Sequence, residues 1–273
     1  MSIGRKRPWL PMALLLVSPV LPFAETLHYE ASYTGVFSAG EILPIAAVRL
    51  DSDNAELPVP EKAIQLTMEV TSAPYPFVER HFPFRVRYRS IYAPRGQQVL
   101  ALEKYEKTSR LKHEINWVDA GQGKLMRFRP KGKSAGEQLF PAVLQPWLKP
   151  GQRFEFHKYA RHPVEDGLLD WLSMLQVMRE KPLATGQEYV FSVTDGKRLY
   201  RYHVRVRKKQ QIEAGGKKQL AWKLRFDAVE EGKRQPAHRP LYVWLADDAG
   251  RTPLLFENRH PLGRFVVRLS AVQ

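Results

Sequence analysis

Residues 188–207 read EYVFSVTDGKRLYRYHVRVR, and this stretch decides the fold. Apolar side chains occupy every second position from Tyr189 to Val193 and again from Tyr200 to Val206. Such alternation of aromatic and β-branched residues is typical of strands with one buried face and one wet face. Asp195-Gly196 lies between the two runs and is a strong hairpin signal. The stretch therefore predicts two antiparallel strands joined by a tight turn.

The same alternation recurs along the chain. Further runs lie at residues 64–71, 84–89, 126–129, 153–157, 222–227 and 265–269. Gly215-Gly216 separates two apolar runs and predicts a second hairpin. An antiparallel sheet with one solvated face requires strands of this kind. We therefore expect a mainly β protein.

One stretch has the periodicity of a helix. Its apolar stripe consists of Leu168, Leu172, Leu175 and Met178. Asp166 is the expected N-cap, and Pro182 follows the end of the pattern. The sequence predicts one principal helix at about residues 166–179. We expect this helix to pack on a strongly curved antiparallel sheet or an incomplete β-barrel.

Composition restricts the chemistry. The 273 residues include 43 lysines and arginines against 28 aspartates and glutamates, a formal net charge of +15. The chain contains no cysteine, which excludes disulfides, thiolate metal sites, a cysteine nucleophile and an acylated lipoprotein anchor. A hydrophobic content of 44% is typical of a globular chain rather than a disordered one.

The first 24 residues have the pattern of a secretory signal peptide. The basic residues Arg5–Arg7 precede an uncharged apolar run from Trp9 to Phe23, and Ala24 is a small residue for cleavage. The run is interrupted by prolines and is shorter than the roughly 20 residues of a membrane span. We expect an exported, periplasmic, soluble protein that has no lipid anchor and no transmembrane span in its mature chain.

The remaining residues, 25–273, are expected to form a single β-rich domain, with a sub-division near 131–165 as the alternative. We expect a mobile connection from Lys131 to Gly136. Cleavage after residue 24 would remove three basic residues and no acidic ones. The mature chain would then carry 40 basic against 28 acidic residues, a net charge of +12.

No motif for catalysis or metal binding is found in the sequence. The eight histidines are scattered without metal-ligand spacing. The sequence has no nucleophile elbow, no glycine-rich phosphate loop and no Ser-x-x-Lys motif. We therefore predict no catalytic residue, no metal site and no cofactor.

Two pairs of aspartates are candidates for the paired carboxylates of a glycan hydrolase, Asp166 with Asp170 and Asp247 with Asp248. The structural interpretation is favoured for both pairs. Asp166 would cap the helix and Asp170 would complement its dipole. Asp247 and Asp248 would form an Asx-type turn that leads into Gly250.

The strongest functional pattern consists of basic residues on one face of a strand, where neighbours lie roughly 7 Å apart. These anion-binding candidates are Arg85, Arg87 and Arg89 in one row, and Arg201, His203, Arg205 and Arg207 in a second row. Such rows repel unless acids balance them or they meet an anion. The first interpretation is a solvated face balanced by Glu69, Glu155 or Glu188. The second is a cationic face for anionic lipid, lipopolysaccharide or acidic glycan, with nucleic acid not expected because of the export signal.

The C-terminal half carries a set of motifs. They are Asp166-Gly-Leu-Leu-Asp-Trp-Leu-Ser173, Val193-Thr-Asp-Gly-Lys197 and Val243-Trp-Leu-Ala-Asp-Asp248. Together with residues 29–33 they resemble the bacterial domain-of-unknown-function 3108 family. The residues that carry the resemblance are Asp166, Leu169, Ser173, Arg179, Gly186, Trp244, Asp247, Asp248 and Pro253. The resemblance implies an exported, mostly β envelope protein with no established activity and no catalytic residues to transfer.

The sequence supports two non-enzymatic functions. In the first, a periplasmic binding or carrier protein holds an anionic amphiphile, with Trp171, Leu175 and Trp244 at the apolar tail and the second basic row at the headgroup. The basic and apolar rows of one strand face opposite sides, so headgroup contact is expected at an edge or rim. In the second, an envelope structural or assembly factor docks on an anionic polymer or protein through the basic face. The glycan hydrolase is the third hypothesis.

Overall fold

The computed structural model describes residues 24–55, 62–131 and 139–272. Within these residues the chain forms fourteen strands, two α-helices and two short 3-10 helices. The first eight strands are β1 (Glu25–Gly35), β2 (Leu43–Ala55), β3 (Ala63–Thr71), β4 (Arg85–Ala93), β5 (Gln98–Lys107), β6 (Leu111–Asp119), β7 (Lys124–Arg129) and β8 (Glu155–Pro163). The other six are β9 (Glu188–Thr194), β10 (Leu199–Ala214), β11 (Lys217–Glu230), β12 (Leu241–Ala246), β13 (Pro253–His260) and β14 (Gly263–Val272).

The helices are α1 (Pro76–His81) and α2 (Trp171–Glu180), and the 3-10 helices span Val36–Ser38 and Ala142–Trp147. Apart from Ala24, the expected signal peptide lies outside the described residues. Apart from Lys131, the expected mobile connection lies outside them as well. No helix of the described residues is both long enough and apolar enough to cross a membrane.

The described strands form one antiparallel sheet in the order β8-β7-β6-β5-β4-β3-β2-β1-β14-β13-β12-β11-β10-β9. It consists of two meanders, β1 to β8 and β9 to β14, which meet where β1 pairs with β14. Short turns join several of the successive strands, as period-two runs separated by glycine turns predict, whereas longer connections join β3 to β4, β7 to β8 and β11 to β12. Both predicted hairpins are confirmed, at Asp195-Gly196 between β9 and β10 and at Gly215-Gly216 between β10 and β11.

The sheet is not closed, so the prediction of an incomplete barrel is confirmed. Its two edge strands, β8 and β9, are consecutive in the sequence, and the segment between them contains α2. Within this segment Leu169 forms an isolated parallel bridge with Val193 of β9. The connection between the edges therefore carries the principal helix against the sheet.

Helix α2 begins later than the sequence indicates, and Asp166 is not its cap. Asp170 is the N-cap, and its Oδ1 accepts a hydrogen bond of 2.8 Å from the backbone N–H of Ser173. Asp166 is exposed and precedes Gly167, whose φ of +75° interrupts any helix at that point. Leu169 then pairs with β9 as extended chain, so helical geometry starts only at Trp171.

The inner side of the curved sheet is filled by α2. All residues from Leu172 to Met178 are buried, which is typical of a helix surrounded by protein. The helix contacts β3, β4 and β9, and its core cluster includes Ile64, Tyr92 and Phe226. The concave side is therefore largely a packed core rather than an open trough.

Candidate functional site

The first basic row, on β4, is balanced by acids. Arg85 pairs with Glu79 at 2.8 Å, and Arg87 pairs with Glu103 at 3.0 Å. Arg89 also pairs with Glu103. These two acids are not the ones named from the sequence, because they lie on α1 and on the adjacent strand β5. The row therefore does not present three free cations to a ligand.

Glu103 is the centre of a buried polar network. Its carboxylate is 1% exposed and accepts hydrogen bonds from Arg87, Arg89 and His113. Burial by itself would raise the pKa of Glu103, but the bonds from His113 and the two arginines outweigh it and lower the pKa to about 2. Arg87 and Arg89 are thus engaged by a carboxylate of the protein itself.

The second basic row, on β10, is exposed and faces away from α2. Arg201, His203, Arg205 and Arg207 alternate with inward side chains, among them Val204 in the core cluster around α2. Arg205 forms an ion pair with Glu188, one of the acids named from the sequence. Among the described residues no carboxylate pairs with the other three. Anion binding by this row stays a prediction.

The three apolar-ligand candidates do not meet at one site. Leu175 is 5% exposed and belongs to the core around α2. Trp244 is buried in a different cluster with Leu255, and the Nζ of Lys223 lies 4.7 Å from its ring centroid. Trp171 is half-buried and is the one of the three that lines a sizeable cavity.

That cavity, called here the aromatic cavity, lies between β4–β5 and the β9–β10 hairpin, beside the first turn of α2, and has a volume of about 370 Å³. Its apolar lining comes mainly from Tyr88, Leu102, Trp171, Leu172, Tyr200, Tyr202 and Leu241. The ring centroids of Trp171 and Tyr202 are 6.2 Å apart, and those of Tyr200 and Tyr202 are 6.5 Å apart. The cavity is therefore a largely apolar space bordered by four aromatic rings.

The polar side chains that line the aromatic cavity already have partners within the protein. The hydroxyl of Tyr88 donates to Glu106 at 2.7 Å, and Lys104 pairs with the same carboxylate at 3.4 Å. Asp195 Oδ1 accepts the backbone N–H groups of residues 197 and 198, each at 2.8 Å. Asp170 is occupied as the helix cap, and burial raises its pKa. The walls consequently offer few free hydrogen-bonding groups.

A second concavity, called here the basic cleft, lies on the other side of the β9–β10 turn, between that turn and the edge strand β8. Its volume is about 710 Å³. Its basic lining comprises Arg127, Arg129, Lys158, Arg161, Lys197 and Arg198, together with His157 and His162. Arg127 and Arg129 belong to the alternating run at residues 126–129. The other basic residues of the cleft lie on β8 and in the β9–β10 turn. Their spacing in the sequence does not indicate that they lie near β7.

Two of the family-motif residues, Arg179 and Pro253, contact strand β1 of the first meander. Arg179 pairs with Glu25 at 2.8 Å and donates to the carbonyl of Gly250 at 2.9 Å. It therefore joins α2 to β1 and to the turn between β12 and β13. The hydroxyl of Tyr29 donates to the carbonyl of Pro253 at 2.8 Å. Gly186 has a φ of +86° in the turn before β9.

One motif glycine needs its lack of a side chain. Gly196 has a φ of +84°, and a Cβ there would lie 2.6 Å from the side-chain Nδ2 of the buried Asn116. The positive φ and the contact with Asn116 of β6 both favour glycine at this position. The close approach seats the β9–β10 turn against the first meander, where it separates the aromatic cavity from the basic cleft.

The aspartate pairs have structural partners. Asp247 accepts from the indole N–H of Trp222 at 2.8 Å and pairs with Lys209 at 2.8 Å. Asp248 accepts the backbone N–H of Arg251 at 2.8 Å, in the predicted Asx-type turn. Asp166 and Asp170 do not share a helix face, because Asp166 precedes the helix. Among the described residues, no group of three or more His, Asp or Glu side chains could hold a metal ion.

Solved structures with a similar fold exist. One is the β-barrel-like protein of domain of unknown function DUF1849 from Brucella abortus, with 11% sequence identity and a TM-score of 0.52, covering 92% of this chain and 97% of that chain. Another, from Bacteroides fragilis, is assigned as exported and has a YmcC-like fold, with 11% identity, a TM-score of 0.31 and coverage of 91% and 95%. The first similarity supports the curved, barrel-like architecture, and fold alone does not assign function. No curated protein matches the chain.

The family comparison concerns the C-terminal half. The family model described as a protein of unknown function, DUF3108, matches residues 146–270. The nine motif residues from Asp166 to Pro253 lie within that range, whereas residues 29–33 lie outside it. The match confirms the resemblance seen in the motifs: residues 146–270 of this chain match the model of DUF3108, a family of proteins of unknown function.

Proposed function

We propose that this protein is an exported, non-enzymatic binding protein for an anionic amphiphile, and that the aromatic cavity holds the apolar segment of that ligand. The observation that carries the proposal is a cavity of about 370 Å³ bordered by aromatic rings, in which the polar side chains are already paired. Pockets of this size with mostly apolar walls are the usual sites for small ligands.

The pairing of the wall residues selects the kind of ligand. A sugar or a peptide would bring many donors and acceptors into the cavity, and each would lose its bonds to water on entry. Asp195 and Tyr88 are already engaged with protein groups, so they could not compensate fully. A hydrocarbon segment makes no such demand and gains free energy from leaving water.

The positive charge of the chain favours a ligand whose polar end is anionic. A formal charge of +15, or +12 without the first 24 residues, attracts anions and repels cations. The signal-peptide pattern of residues 1–24 supports export to a compartment where such amphiphiles are part of the envelope. The absence of cysteine supports a protein that carries no thioether-linked lipid anchor of its own.

The test fills the cavity. N-Phenylnaphthylamine is a neutral apolar probe whose fluorescence rises when it leaves water. The variant Asn258→Phe places an aromatic ring at a half-buried position that lines the cavity, where the amide makes only hydrogen bonds of 3.4 Å. We expect the wild-type chain to bind the probe and the variant to bind it about tenfold more weakly, because the free volume is reduced.

The matched control is Gln219→Phe, at a half-buried position on β11 that does not line the cavity. It should bind the probe like the wild-type chain. Circular dichroism and thermal unfolding check that both variants fold. The proposal is wrong if the wild-type chain does not bind the probe, or if both variants bind it as the wild-type chain does.

A further inference from the structure

The basic cleft joins side chains that are distant in the sequence. Arg127 and Arg129 project from β7, Lys158 and Arg161 come from the edge strand β8, and Lys197 lies in the β9–β10 turn. The cleft is open and has a volume of about 710 Å³. It is therefore large enough for a solvated anionic group and is placed at the rim of the sheet, where headgroup contact is geometrically possible.

The carboxylates near the cleft do not neutralise it. Glu114 forms ion pairs with Arg127 and Arg129, each at 2.8 Å, and its carboxylate lies 3.9 Å from the Nζ of Lys197. Glu230 pairs with Arg198 at 3.4 Å and with Lys233, which lies outside the cleft lining. Six basic side chains line the cleft, and with Glu114, Glu230 and Glu231 on the acidic side an excess of three positive charges remains.

Two cations of the cleft are free to meet a ligand. Lys158 and Arg161 are exposed, and neither forms an ion pair or hydrogen bond with another described residue through its side chain. They lie three residues apart on the edge strand β8. The positive charges of Lys158 and Arg161 repel each other and those of the three cations near Glu114. A bound anion would reduce this repulsion.

His157 reports the field inside the cleft. Burial lowers its pKa, and Arg129, Arg127 and Lys158 lower it further. Its Nδ1 is buried and has no hydrogen-bond partner among the described residues. The three cations that act on His157 line the cleft beside it, so their positive charges act together at this position.

We propose that the basic cleft is a binding site for a phosphate group, and that it receives the headgroup of the ligand whose apolar segment enters the aromatic cavity. This proposal rests on the proposed function for its second part. Guanidinium groups bind phosphate oxygens through paired N–H donors, and a doubly charged group suits a site with several cations. The β9–β10 turn borders both spaces, since Lys197 and Arg198 line the cleft while Asp195 and Tyr200 line the cavity.

The test uses charge reversal at the two unpartnered cations. Inorganic pyrophosphate is titrated calorimetrically into the full chain and into the double variant Lys158→Glu, Arg161→Glu. Neither side chain forms an ion pair with another described residue, so the fold is expected to persist. The variant should bind pyrophosphate at least about tenfold more weakly, because hydrogen bonds between charged groups are lost.

The matched control is Lys217→Glu, Lys218→Glu, which makes the same change of charge at two exposed lysines next to the β10–β11 turn, at the end of β10 opposite to the β9–β10 turn. Neither lysine forms an ion pair with another described residue. This control should change the affinity by no more than about twofold, since exposed charges are screened beyond about 10 Å at 0.1 M salt. Equal losses in both double variants, no loss in the cleft variant, or no binding by the wild-type chain would overturn the proposal.

Two further measurements identify the source of the phosphate and separate the two proposals. Sedimentation with phosphatidylcholine vesicles, with and without phosphatidic acid, shows whether the site takes a lipid headgroup or only a free phosphorylated solute. N-Phenylnaphthylamine should still bind to the cleft variant. Probe binding without pyrophosphate binding contradicts the cleft alone, and pyrophosphate binding without probe binding contradicts the cavity alone.

Discussion

Glu103 lies on β5 directly opposite Arg89 of β4, and its side chain is almost completely buried. Arg87, Arg89 and His113 surround it, and the carbonyl of Trp147 accepts a further hydrogen bond of 2.8 Å from Arg89. At the scale of single residues, this one carboxylate forms ion pairs with two of the arginines predicted to bind anions. Removing one partner of such a buried pair is costly, because the other charges remain without compensation.

Replacing Glu103 should destabilise the protein in a manner that depends on pH. The folded-state pKa of about 2 is below the ordinary value of 4.5, so the carboxylate contributes stability that is present above about pH 4.5 and is lost as the pH falls towards 2. We expect Glu103→Gln to lower the free energy of unfolding by about 3–5 kcal/mol at pH 7. The difference from the wild-type chain should shrink as the pH falls from 5 to 2, measured by urea unfolding.

Glu69→Gln is the control for this prediction. Glu69 is exposed and lies on β3, directly opposite Arg87 in the pairing of β3 with β4. Its replacement should cost less than about 1 kcal/mol, as for surface ion pairs. Equal losses for the two variants at pH 7, or a difference at Glu103 that does not change with pH, would contradict the assignment.

At the scale of elements, α2 connects the two edges of the open sheet and fills its inner side. Its start is fixed by Asp170 and its end by Lys181-Pro182, because proline cannot continue a helix. Arg179 in its last turn reaches Glu25 of β1 and the carbonyl of Gly250. The helix thus ties both meanders together. Its side chains from Met174 to Met178 are buried in the protein, whereas Trp171 and Leu172 line the aromatic cavity.

Leu175→Ala tests that role. The side chain is 5% exposed within the core around α2, and its truncation should lower the free energy of unfolding by about 2–5 kcal/mol through lost burial and a residual cavity. Val190→Ala, at a position 51% exposed on β9, should change it by no more than about 0.5 kcal/mol. An unchanged stability in Leu175→Ala would favour the original interpretation of Leu175 as a ligand contact.

At the scale of the whole molecule, the family-matched residues 146–270 do not contain all of their own packing partners. Strand β14 pairs with β1, and the core around α2 includes Ile64, Leu66 and Tyr92 of the first meander. The family match therefore covers only part of the residues that share this core and this strand pairing. The expectation of one domain over 25–273 rests on this sharing of a core.

A fragment of residues 146–273 should consequently fail to fold on its own. Without β1, β3 and β4, one edge of β14 and one side of α2 would be exposed to water. We expect the fragment to lack near-ultraviolet circular dichroism and a cooperative unfolding transition. A cooperative transition at the midpoint of the full chain would instead support the sub-division near 131–165.

The sequence by itself determined the local structure of this protein. Period-two runs such as Tyr200–Val206 predicted strands, Asp195-Gly196 and Gly215-Gly216 predicted hairpins, and the apolar stripe around Leu175 predicted the principal helix. These features depend on residues close together in the chain, because burial on one side imposes a repeat on its neighbours. The motifs likewise indicated the family.

The tertiary structure alone decided which charges meet. Glu103 neutralises Arg87 and Arg89 from another strand, and Lys158 joins Lys197 in the cleft across the open edge of the sheet. The start of α2 was also decided there, since Leu169 is held extended by β9. Such contacts follow from strand register and sheet curvature, which bring together residues that no spacing along the sequence connects.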